Sequence, residues 1–372
     1  MKIAEISSRK VLASRGDWTI ETTIVLEDGS YGIASVPAGI STGKGEAKTL
    51  LAAEALAVIK EKLTPELVNK DFPTLKDFDA FLIGKDGTPD KSNLGGNTVL
   101  SLSVAFAKAA AMFSESAPLY SYLNQLVGGT PVRIPEFLVL VFEGGLHARS
   151  LLSIQEFAIK CQTVEEALSL YKRVAEAMKI RNLPDLVGAE GAFSPPGMTN
   201  DDCLSLLSSL FGPGCIALDL ANSHLLGSSL NLEELVSKYA PFSLEDIYDE
   251  EAWDNWEVFS KNNSGKVLVV ADDLVVTNKI RLQKLIEKKA ARAVVVKPNQ
   301  IGTVSETLEF VQLAKKSGLK TVVSHRGEDT NDDFIADFAV AVGSDYVKFG
   351  GTVRGERVAK YNRILEITDE LK

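Results

Sequence analysis

Six short apolar runs in the C-terminal half of the chain recur at nearly constant spacing, and each ends on one ionisable residue. These residues are Asp219, Glu245, Asp272, Lys297, His325 and Lys348. A continuous apolar run of about four to six residues is typical of a strand that is buried on both faces. Because a strand, a helix and two short loops occupy about 25–30 residues, the spacing predicts repeated strand–helix units that close into a barrel.

The C-terminal ends of the strands in such a barrel meet at one mouth, where enzymes of this architecture carry out their chemistry. Three carboxylates, Asp219, Glu245 and Asp272, follow successive predicted strands. A single aspartate in this place is most simply the N-cap of the next helix. Three in register, followed by two lysines, instead favour an octahedral Mg²⁺ site that water and substrate oxygens complete.

Lysines end two further predicted strands. Lys297 lies in the segment VVVKPNQIGT, where a buried ammonium group is costly unless it is paired or its pKa is shifted. Beside a metal, Lys297 is a candidate general base near neutral pH; the alternative is a structural ion pair with one of the carboxylates. Lys348, in YVKFGG, is a candidate for the same two roles, general base or structural ion pair, and a third alternative is that it neutralises a substrate carboxylate.

The remaining candidates lie outside these lysine segments. Arg326 follows His325, and the guanidinium fork of an arginine is well suited to a phosphate group. Glu156 and Glu190 are two further acids. They are candidates because the other polar candidates are present, and their own spacing forms no motif. His147, like His325, lies in a turn flanked by glycine or serine.

Segment 39–43, GISTG, joins a predicted strand to a predicted helix. Its composition predicts a turn, and an alternative function is a lid that places Ser41 on a ligand. His224 lies outside the pattern of strand ends and turns, so we assign it a structural or exposed position.

The chain of 372 residues carries a net charge of −10. This charge argues against a nucleic-acid-binding surface, which is usually basic. The three cysteines form no paired motif, which favours a reducing compartment. The first residues contain no apolar segment of a signal peptide, and no run approaches the ~18 apolar residues of a membrane span. We therefore expect a cytoplasmic protein without a membrane span.

The N-terminal part has a different pattern, strands followed by helices, which predicts an α+β unit. Residues 19–36 read as a hairpin with an Asp-Gly turn. Residues 46–64 and 95–112 have helical patterns, and the second is rich in alanine. The turn-rich segment VGGTP suggests a boundary, so we predict an α+β domain at 1–128 and a catalytic βα barrel at 129–372.

Several segments, in the same order along the chain, resemble the enolase family. The most specific is VVVKPNQIGTVSETLE, and others are PAGISTGKGEA, GGNTVLSLSVAFAKAAA, VGAEGAFSPP, LVVADDLVVTN and VVSHRGEDTNDDFIADFAVA. The resemblance spans both predicted domains, although the chain looks shorter than typical members. It implies an α/β fold in which an N-terminal α+β domain caps a mixed barrel that begins ββαα, in a homodimer or higher oligomer.

The resemblance also implies reversible dehydration of 2-phosphoglycerate, a small phosphorylated carboxylate, to phosphoenolpyruvate in glycolysis, with two Mg²⁺ per site, the second arriving with substrate. It assigns metal binding to Asp219, Glu245, Asp272 and, for the second ion, Ser41. Lys297 corresponds to the base that removes the C2 proton, and Glu190 to the acid at the C3 hydroxyl. The other catalytic and substrate-binding positions that it implies are Glu156, His147, Ser324, His325, Arg326 and Lys348.

Five positions depart from the family pattern: Gly45, Glu143, Ala189, Gly327 and Phe349. Glu143 stands where asparagine is usual and is expected to repel an anionic substrate if it points inward. Gly327 replaces a serine that helps to hold the phosphate, so one hydrogen bond is expected to be missing unless Thr352 or a backbone N–H replaces it. Two alternatives to an active enolase stay open: a related lyase or epimerase on another 2-substituted carboxylate, and a non-catalytic enolase-like binding protein.

Overall fold

The structure, a computed structural model, describes residues 1–37, 43–114, 117–129, 131–148, 150–221 and 231–372. Its first part is a three-stranded antiparallel sheet followed by helices, and its second part is a closed barrel of eight strands surrounded by helices. The predicted α/β fold, an α+β unit followed by a mixed βα barrel, is therefore confirmed.

The N-terminal sheet consists of β1 (Ile3–Leu12), β2 (Trp18–Leu26) and β3 (Tyr31–Ser35). β2 and β3 form the predicted hairpin, and Gly29 in its turn has a φ of +91°, a left-handed value that glycine adopts without a steric penalty. β1, which the sequence analysis did not predict, pairs antiparallel with β2. Only two of its ten side chains are buried, so its apolar alternation is weak.

The helical segments after the sheet are α1 (Ala52–Ala57), a π-helix (Val58–Leu63), α2 (Thr64–Leu67), α3 (Leu75–Asp86), α4 (Gly96–Phe113) and α5 (Leu119–Leu126). The helix predicted over 46–64 begins only at Ala52. Ala47 instead donates its backbone N–H to the carbonyl oxygen of Gln300 at 2.8 Å. A hydrogen bond to the barrel thus replaces the first turn, because tertiary contacts outweigh helix propensity there.

Helix α4 is the core helix of the N-terminal part, as its alanine-rich pattern predicts. Among the described residues it is the one helix that is long and apolar enough to cross a membrane by length and composition, and 83% of its length is buried inside the protein. It packs on β2 and β3. Contacts within the chain therefore account for its apolar surface.

The barrel strands are β4 (Glu136–Glu143), β5 (Glu156–Cys161), β6 (Ile216–Asp219), β7 (Ser243–Glu245), β8 (Leu268–Ala271), β9 (Ala293–Val296), β10 (Lys320–Ser324) and β11 (Tyr346–Lys348). The helices of this part are α6 (Val164–Ile180), α7 (Asn200–Phe211), α8 (Leu232–Tyr239), α9 (Trp253–Asn262), α10 (Lys279–Lys288), α11 (Pro298–Ile301), α12 (Val304–Lys316), α13 (Phe334–Ala341) and α14 (Gly355–Glu370). The strands follow one another around the barrel in chain order, and β11 pairs with β4 to close it.

The second barrel strand runs opposite to the others. β5 is antiparallel to both β4 and β6, and the other neighbouring strands are parallel. The chain then passes through α6 and α7 before β6, so the barrel begins ββαα, as the resemblance implies. Because β5 is reversed, its first residue, Glu156, lies beside Glu143 and Asp219, the last residues of its neighbours. The reversal thereby puts Glu156 at the mouth.

The interior of the barrel is filled by apolar side chains. They are Leu138, Leu140, Ala158, Ala192, Ala217, Val270, Ala293, Val295, Val322 and Tyr346. The polar residues at the strand ends therefore stand on a packed apolar floor. The predicted domain boundary between residues 128 and 129 falls between α5 and β4, and it stays a prediction.

Candidate active site

The C-terminal ends of the barrel strands bring the ionisable residues of the sequence pattern together. A small cavity of about 20 Å³ lies at this mouth. The sequence candidates that line it are His147, Glu156, Glu190, Asp219, Asp272, Lys297, Ser324, His325, Arg326 and Lys348. Glu245 is buried behind this lining, next to Lys348. Ser41 and His224 lie outside the described residues.

Lys348 lies among three carboxylates. Its Nζ is 2.7 Å from Glu245 Oε1, and it is 2.9 Å from Glu156 Oε2 and 3.4 Å from Asp219 Oδ2. Burial alone lowers the pKa of Lys348, but these negative charges hold the pKa well above its ordinary value. Lys348 is therefore a fixed cation that neutralises part of the carboxylate cluster, and in this arrangement it is not a base.

Lys297 forms an ion pair with Asp272. Its Nζ donates a hydrogen bond to Oδ2 of Asp272, whose other carboxylate oxygen accepts one from Gln300 at 3.0 Å. Burial lowers the pKa of Lys297, but the charge of Asp272 outweighs it, so the pKa lies above its ordinary value. Lys297 and Asp272 are therefore an ion pair in this structure.

The carboxylates at the mouth are close enough to favour a bound cation. Burial raises the pKa of Glu245 well above its ordinary value, and the charges of Asp219 and Asp272 add to this effect against the opposing charge of Lys348. Carboxylate oxygens of Asp246, Asp272 and Asp273 lie within 4.8 Å of one another. Hard oxygen donors in a crowded, negatively charged cavity fit a divalent cation such as Mg²⁺.

Asp246 is a cavity-lining residue that the sequence analysis missed. It has a φ of +47°, and its carboxylate accepts the backbone N–H groups of Asp272 and Asp273 at 3.0 and 3.1 Å. These bonds fix the backbone that carries Asp272. The adjacent acids Glu245 and Asp246 were visible in the sequence, but strand alternation alone does not tell which of them holds the neighbouring backbone.

Glu190 lies between two histidines. Its Oε2 is 3.4 Å from His147 Nδ1 and 3.6 Å from His325 Nε2. Burial raises the pKa of Glu190, but the charge and hydrogen bond of His147 are the main effects that oppose it, and the pKa lies well below its ordinary value. Burial likewise lowers the pKa of His147, but the surrounding acids, Glu190 above all, raise it to about 9. The proton of the Glu190–His147 pair therefore resides on His147.

Glu156 has the opposite tendency. Burial raises its pKa to about 8, although the nearby charge of Lys348 opposes the shift. Its Oε1 lies 3.9 Å from His147 Nδ1. Glu156 thus retains a proton far more readily than Glu190, and environments that separate the pKa values of two acids are typical of catalytic acid–base pairs.

Arg326 is bound by an acid from the N-terminal part. Its Nη1 lies 3.0 Å from Glu46 Oε2, and it donates a hydrogen bond to Asn299 Oδ1 at 3.2 Å. Glu46 also accepts the backbone N–H of Gly43 at 3.0 Å. The sequence analysis missed Glu46 and Asn299, because nothing in their local pattern distinguishes them from solvated loop residues.

Arg357, at the start of α14, is fully buried and was also missed. Its guanidinium donates to Nδ1 of His325 at 2.5 Å and to the carbonyl oxygens of Arg326 and Gly327 at 2.6 and 2.9 Å. It also reaches the carbonyl oxygen of Ala189 at 3.3 Å. Arg357 therefore joins the turn after β10 to the loop that carries Glu190. An arginine at the start of a helix has no sequence signal for this role.

Glu143 is not among the residues that line the cavity, so the condition attached to its expected repulsion of an anionic substrate, a side chain that points inward, is not met. The side chain is fully buried and its carboxylate accepts the backbone N–H groups of Glu190 and Ala192. Burial provides the physical reason, because a carboxylate enclosed by protein turns to the donors available there.

The other departures from the family pattern have local explanations. Gly45 has a φ of +103°, which favours glycine. Ala189 donates its N–H to the carbonyl oxygen of His147 at 3.2 Å, and Phe349 packs edge-on against Tyr361. Gly327 lines the cavity, whereas Thr352, considered as a substitute for the missing serine, is not among the lining residues.

Comparisons with known proteins match both parts of the chain. The family model described as the enolase N-terminal domain matches residues 3–123, and that of the enolase C-terminal TIM barrel domain matches residues 217–372. An enolase of Helicobacter pylori strain ATCC 700392 / 26695 is 38% identical over an alignment of 421 positions that covers all of this chain and 97% of the relative. An enolase of strain J99 / ATCC 700824 is 37% identical with the same coverage. The alignments are longer than the chain, in agreement with its predicted shortening.

Proposed function

Because the chain belongs to the enolase family and is therefore a lyase that acts on a small phosphorylated substrate, we propose that it catalyses the Mg²⁺-dependent, reversible dehydration of 2-phosphoglycerate to phosphoenolpyruvate. Dehydration requires a base for the proton at C2 and an acid for the hydroxyl group at C3. The base is Lys297, whose ammonium form a cation held at Asp272 would disfavour, and the acid is Glu190 together with His147.

The observation that carries this proposal is the placement of base and acid across the barrel mouth. Lys297 follows β9 and Glu156 begins β5, and these strands are separated by four positions on either side of the eight-stranded barrel. Glu190 and His147 lie near Glu156. A substrate bound between the two groups is thus open to proton removal on one side and hydroxyl departure on the other.

The proton next to the substrate carboxylate is a very weak acid, and bound Mg²⁺ would supply positive charge that stabilises the dianionic intermediate. The residues that would hold the first ion are Asp219, Glu245 and Asp272, and two ions per site are proposed, with Ser41 assigned to the second. A lysine base in a magnesium site is the recognised pattern of the enolase superfamily, and the assignment of Lys297 follows that pattern.

The acid side stores the proton that the leaving hydroxyl group needs. We assign it to His147, whose pKa the surrounding acids raise to about 9, with Glu190 as the carboxylate beside it. Nδ1 of His147 and Oε2 of Glu190 are buried atoms that make no hydrogen bond among the described residues. They lie 3.4 Å from each other in the cavity lining, and we propose that the substrate hydroxyl group hydrogen-bonds to this pair.

Arg326 and Lys348 are positive groups of the mouth that suit the anionic ends of the substrate. We assign Arg326 and Ser324 to the phosphoryl group, with His325 beside them, because all three line the cavity at the end of β10. Lys348 is assigned to the charge balance between substrate and carboxylates. Occupation of Arg326 by an anion requires competition with Glu46, its present partner.

A coupled assay of phosphoenolpyruvate formation from 2-phosphoglycerate, with and without Mg²⁺, tests the function. We expect turnover that requires Mg²⁺ and is absent in Lys297→Ala. Turnover of a different 2-substituted carboxylate in place of 2-phosphoglycerate would support the related-lyase alternative. Binding of phosphoenolpyruvate without any turnover would support a non-catalytic protein.

We also propose, from family membership alone, that the chain acts in glycolysis, that it is cytoplasmic and that it forms a homodimer or a multiple of dimers. Sedimentation velocity over a hundredfold range of protein concentration tests the last point. A single monomeric species throughout would contradict it.

A further inference from the structure

Glu143 ends β4, directly beside the loop that carries the proposed acid. Across the barrel wall it pairs with Glu156, just after a register shift in β4, and its backbone N–H donates to the carbonyl oxygen of Phe193 at 3.0 Å. Its side chain is fully buried. Two donors meet its carboxylate: the N–H of Glu190 lies 3.0 Å from Oε2 and 3.2 Å from Oε1, and the N–H of Ala192 lies 3.0 Å from Oε1.

The loop from Gly188 to Ala192 has no other described acceptor for these two N–H groups. Gly188 donates its own N–H to the carbonyl oxygen of Ala192 at 2.9 Å, which closes a tight turn. Glu190 lies inside that turn, and its backbone N–H is directed at Glu143. A buried backbone donor without an acceptor is costly. The carboxylate of Glu143 therefore meets a requirement of this loop.

Contact with Gly188 shows how closely the side chain fits. A Cβ atom built on Gly188 would lie 2.5 Å from Cδ and Oε1 of Glu143. No side chain can be added at position 188 without displacing the carboxylate or the loop. Gly188 and Glu143 therefore form one packing unit.

We infer that Glu143 is a positioning residue for Glu190: its carboxylate clamps the 188–192 loop to the barrel wall and so sets where the Glu190 carboxylate stands relative to the substrate. The inference rests on the proposed function, in which Glu190 serves the departure of the hydroxyl group. It predicts that loss of the clamp impairs that step and leaves the earlier removal of the C2 proton by Lys297 intact.

The charge of Glu143 is not what the clamp needs. Oε1 alone accepts both N–H groups, at 3.2 and 3.0 Å. Burial and the neighbouring charge of Glu190 raise the pKa of Glu143 to about 7, so the protonated and ionised forms are both accessible, and each offers an acceptor. Glutamine, which retains one carbonyl oxygen on a side chain of the same length, is accordingly the conservative variant.

The test compares Glu143→Ala, Glu143→Gln and Gly188→Ala with Asp79→Ala as a matched control. Asp79 is also a fully buried carboxylate that accepts a backbone N–H, from Ser305 at 2.9 Å, and burial raises its pKa to about 6. It lies on α3, outside the cavity lining. Two measurements are made: hydrogen exchange of the 188–192 amides, and the ratio of turnover to exchange of the C2 proton with solvent.

In Glu143→Ala and Gly188→Ala we expect the amides of Glu190 and Ala192 to exchange at least about tenfold faster than in the parent. We expect the ratio of turnover to C2 exchange to fall by roughly ten- to a hundredfold, the scale of a misplaced catalytic group. Glu143→Gln should recover most of both properties, and Asp79→Ala should leave both unchanged. The inference is overturned if turnover and C2 exchange fall in parallel, or if the two amides remain protected in Glu143→Ala.

The two measurements distinguish failure of the positioning role from failure of the proposed function. If the parent protein does not convert 2-phosphoglycerate, the proposed function fails, and the amide exchange of the variants still decides whether the clamp exists. If the parent converts it and the ratio is the same in Glu143→Ala, only the positioning role fails.

Discussion

Arg357 donates a hydrogen bond to Nδ1 of His325 at 2.5 Å, and this contact decides which imidazole nitrogen carries a proton. A guanidinium group has donors only, so Nδ1 must accept and the proton must lie on Nε2. Burial, and the positive charge of Arg357, lower the pKa of His325 well below its ordinary value despite the nearby Glu190. His325 is therefore neutral, and its Nε2 lies 3.6 Å from Oε2 of Glu190.

Arg357→Lys should disturb this arrangement although the charge is kept. A lysine ammonium lacks the planar fork that reaches His325 and three backbone carbonyl oxygens at once. We expect turnover to fall at least about tenfold, and the ¹⁵N chemical shifts of His325 to show loss of the pure Nε2–H form. Arg363→Lys, on the same helix and paired with Asp337, is the control. Unchanged histidine shifts in Arg357→Lys would contradict the assigned role.

The barrel was predictable because its strands are buried on both faces. Six strands therefore appear in the sequence as short apolar runs that end at the mouth on an ionisable residue, whereas the reversed β5 begins there with Glu156. β1 was not predictable in this way, since most of its side chains are exposed or half-buried. The start of α1 was misjudged because the bond from Ala47 to Gln300 joins segments that are far apart in the chain.

The residues of the candidate site also differ in whether a local sequence pattern predicts them. Asp219, Asp272 and Lys297 could be predicted, because each follows an apolar run. Their partners come from loops and helix starts, where local pattern carries no information about contact across the barrel. Glu46 and Arg357 are examples of such partners. For Glu143, the sequence indicated the position but not the contacts of the side chain. Its position at the end of a strand was visible, but its carboxylate turns to a loop instead of the cavity.

Asp272→Asn should abolish the stabilisation that Mg²⁺ provides. A ligand at 100 times its dissociation constant raises the free energy of unfolding by ~2.7 kcal/mol, and the loss of one charged ligand from three should reduce this greatly. The measurement is the shift in melting temperature on adding Mg²⁺ to each protein. Asp345→Asn, at the N-terminal end of the barrel where it pairs with Lys320, is the control. A parent-like shift in Asp272→Asn would mean that the ion binds elsewhere.

Lys297→Ala and Glu190→Gln should separate the two halves of the reaction. Removal of the base should stop both turnover and exchange of the C2 proton with solvent. Removal of the acid should stop turnover but leave exchange measurable, because hydroxyl departure follows proton removal. Deuterium incorporation at C2 of 2-phosphoglycerate, followed by NMR, is the measurement. Parent-rate exchange in Lys297→Ala would show that another group is the base.

His147 should make stability depend on pH between about 6.5 and 9. Its pKa is raised from 6.5 to about 9 in the folded protein, so the stabilisation from its charged form is fully present below pH 6.5 and is lost as the pH rises through 9. The shift corresponds to ~3 kcal/mol at most. Urea unfolding of the parent and His147→Gln at pH 6, 7.5 and 9 measures it. The two proteins should differ most at pH 6, and a constant difference would refute the linkage.

Gly327→Ser should lower KM for 2-phosphoglycerate. Gly327 lines the cavity beside Arg326 and offers no hydroxyl group. It is not among the residues with positive φ, so serine can adopt its backbone conformation without strain. A hydrogen bond to a charged phosphoryl group contributes ~1.5–3 kcal/mol, which corresponds to roughly tenfold or more in affinity. We therefore expect KM to fall by about this factor while kcat changes less.

Gly327→Ala is the matched control for this change, because it adds the Cβ atom without the hydroxyl group. Its KM should stay near that of the parent, or rise if the methyl group disturbs the bond between Arg357 and the carbonyl oxygen of residue 327. Steady-state kinetics of the three proteins at saturating Mg²⁺ provide the comparison. If serine and alanine have the same effect, the hydroxyl group has no role, and a backbone N–H already fills the place of the missing donor.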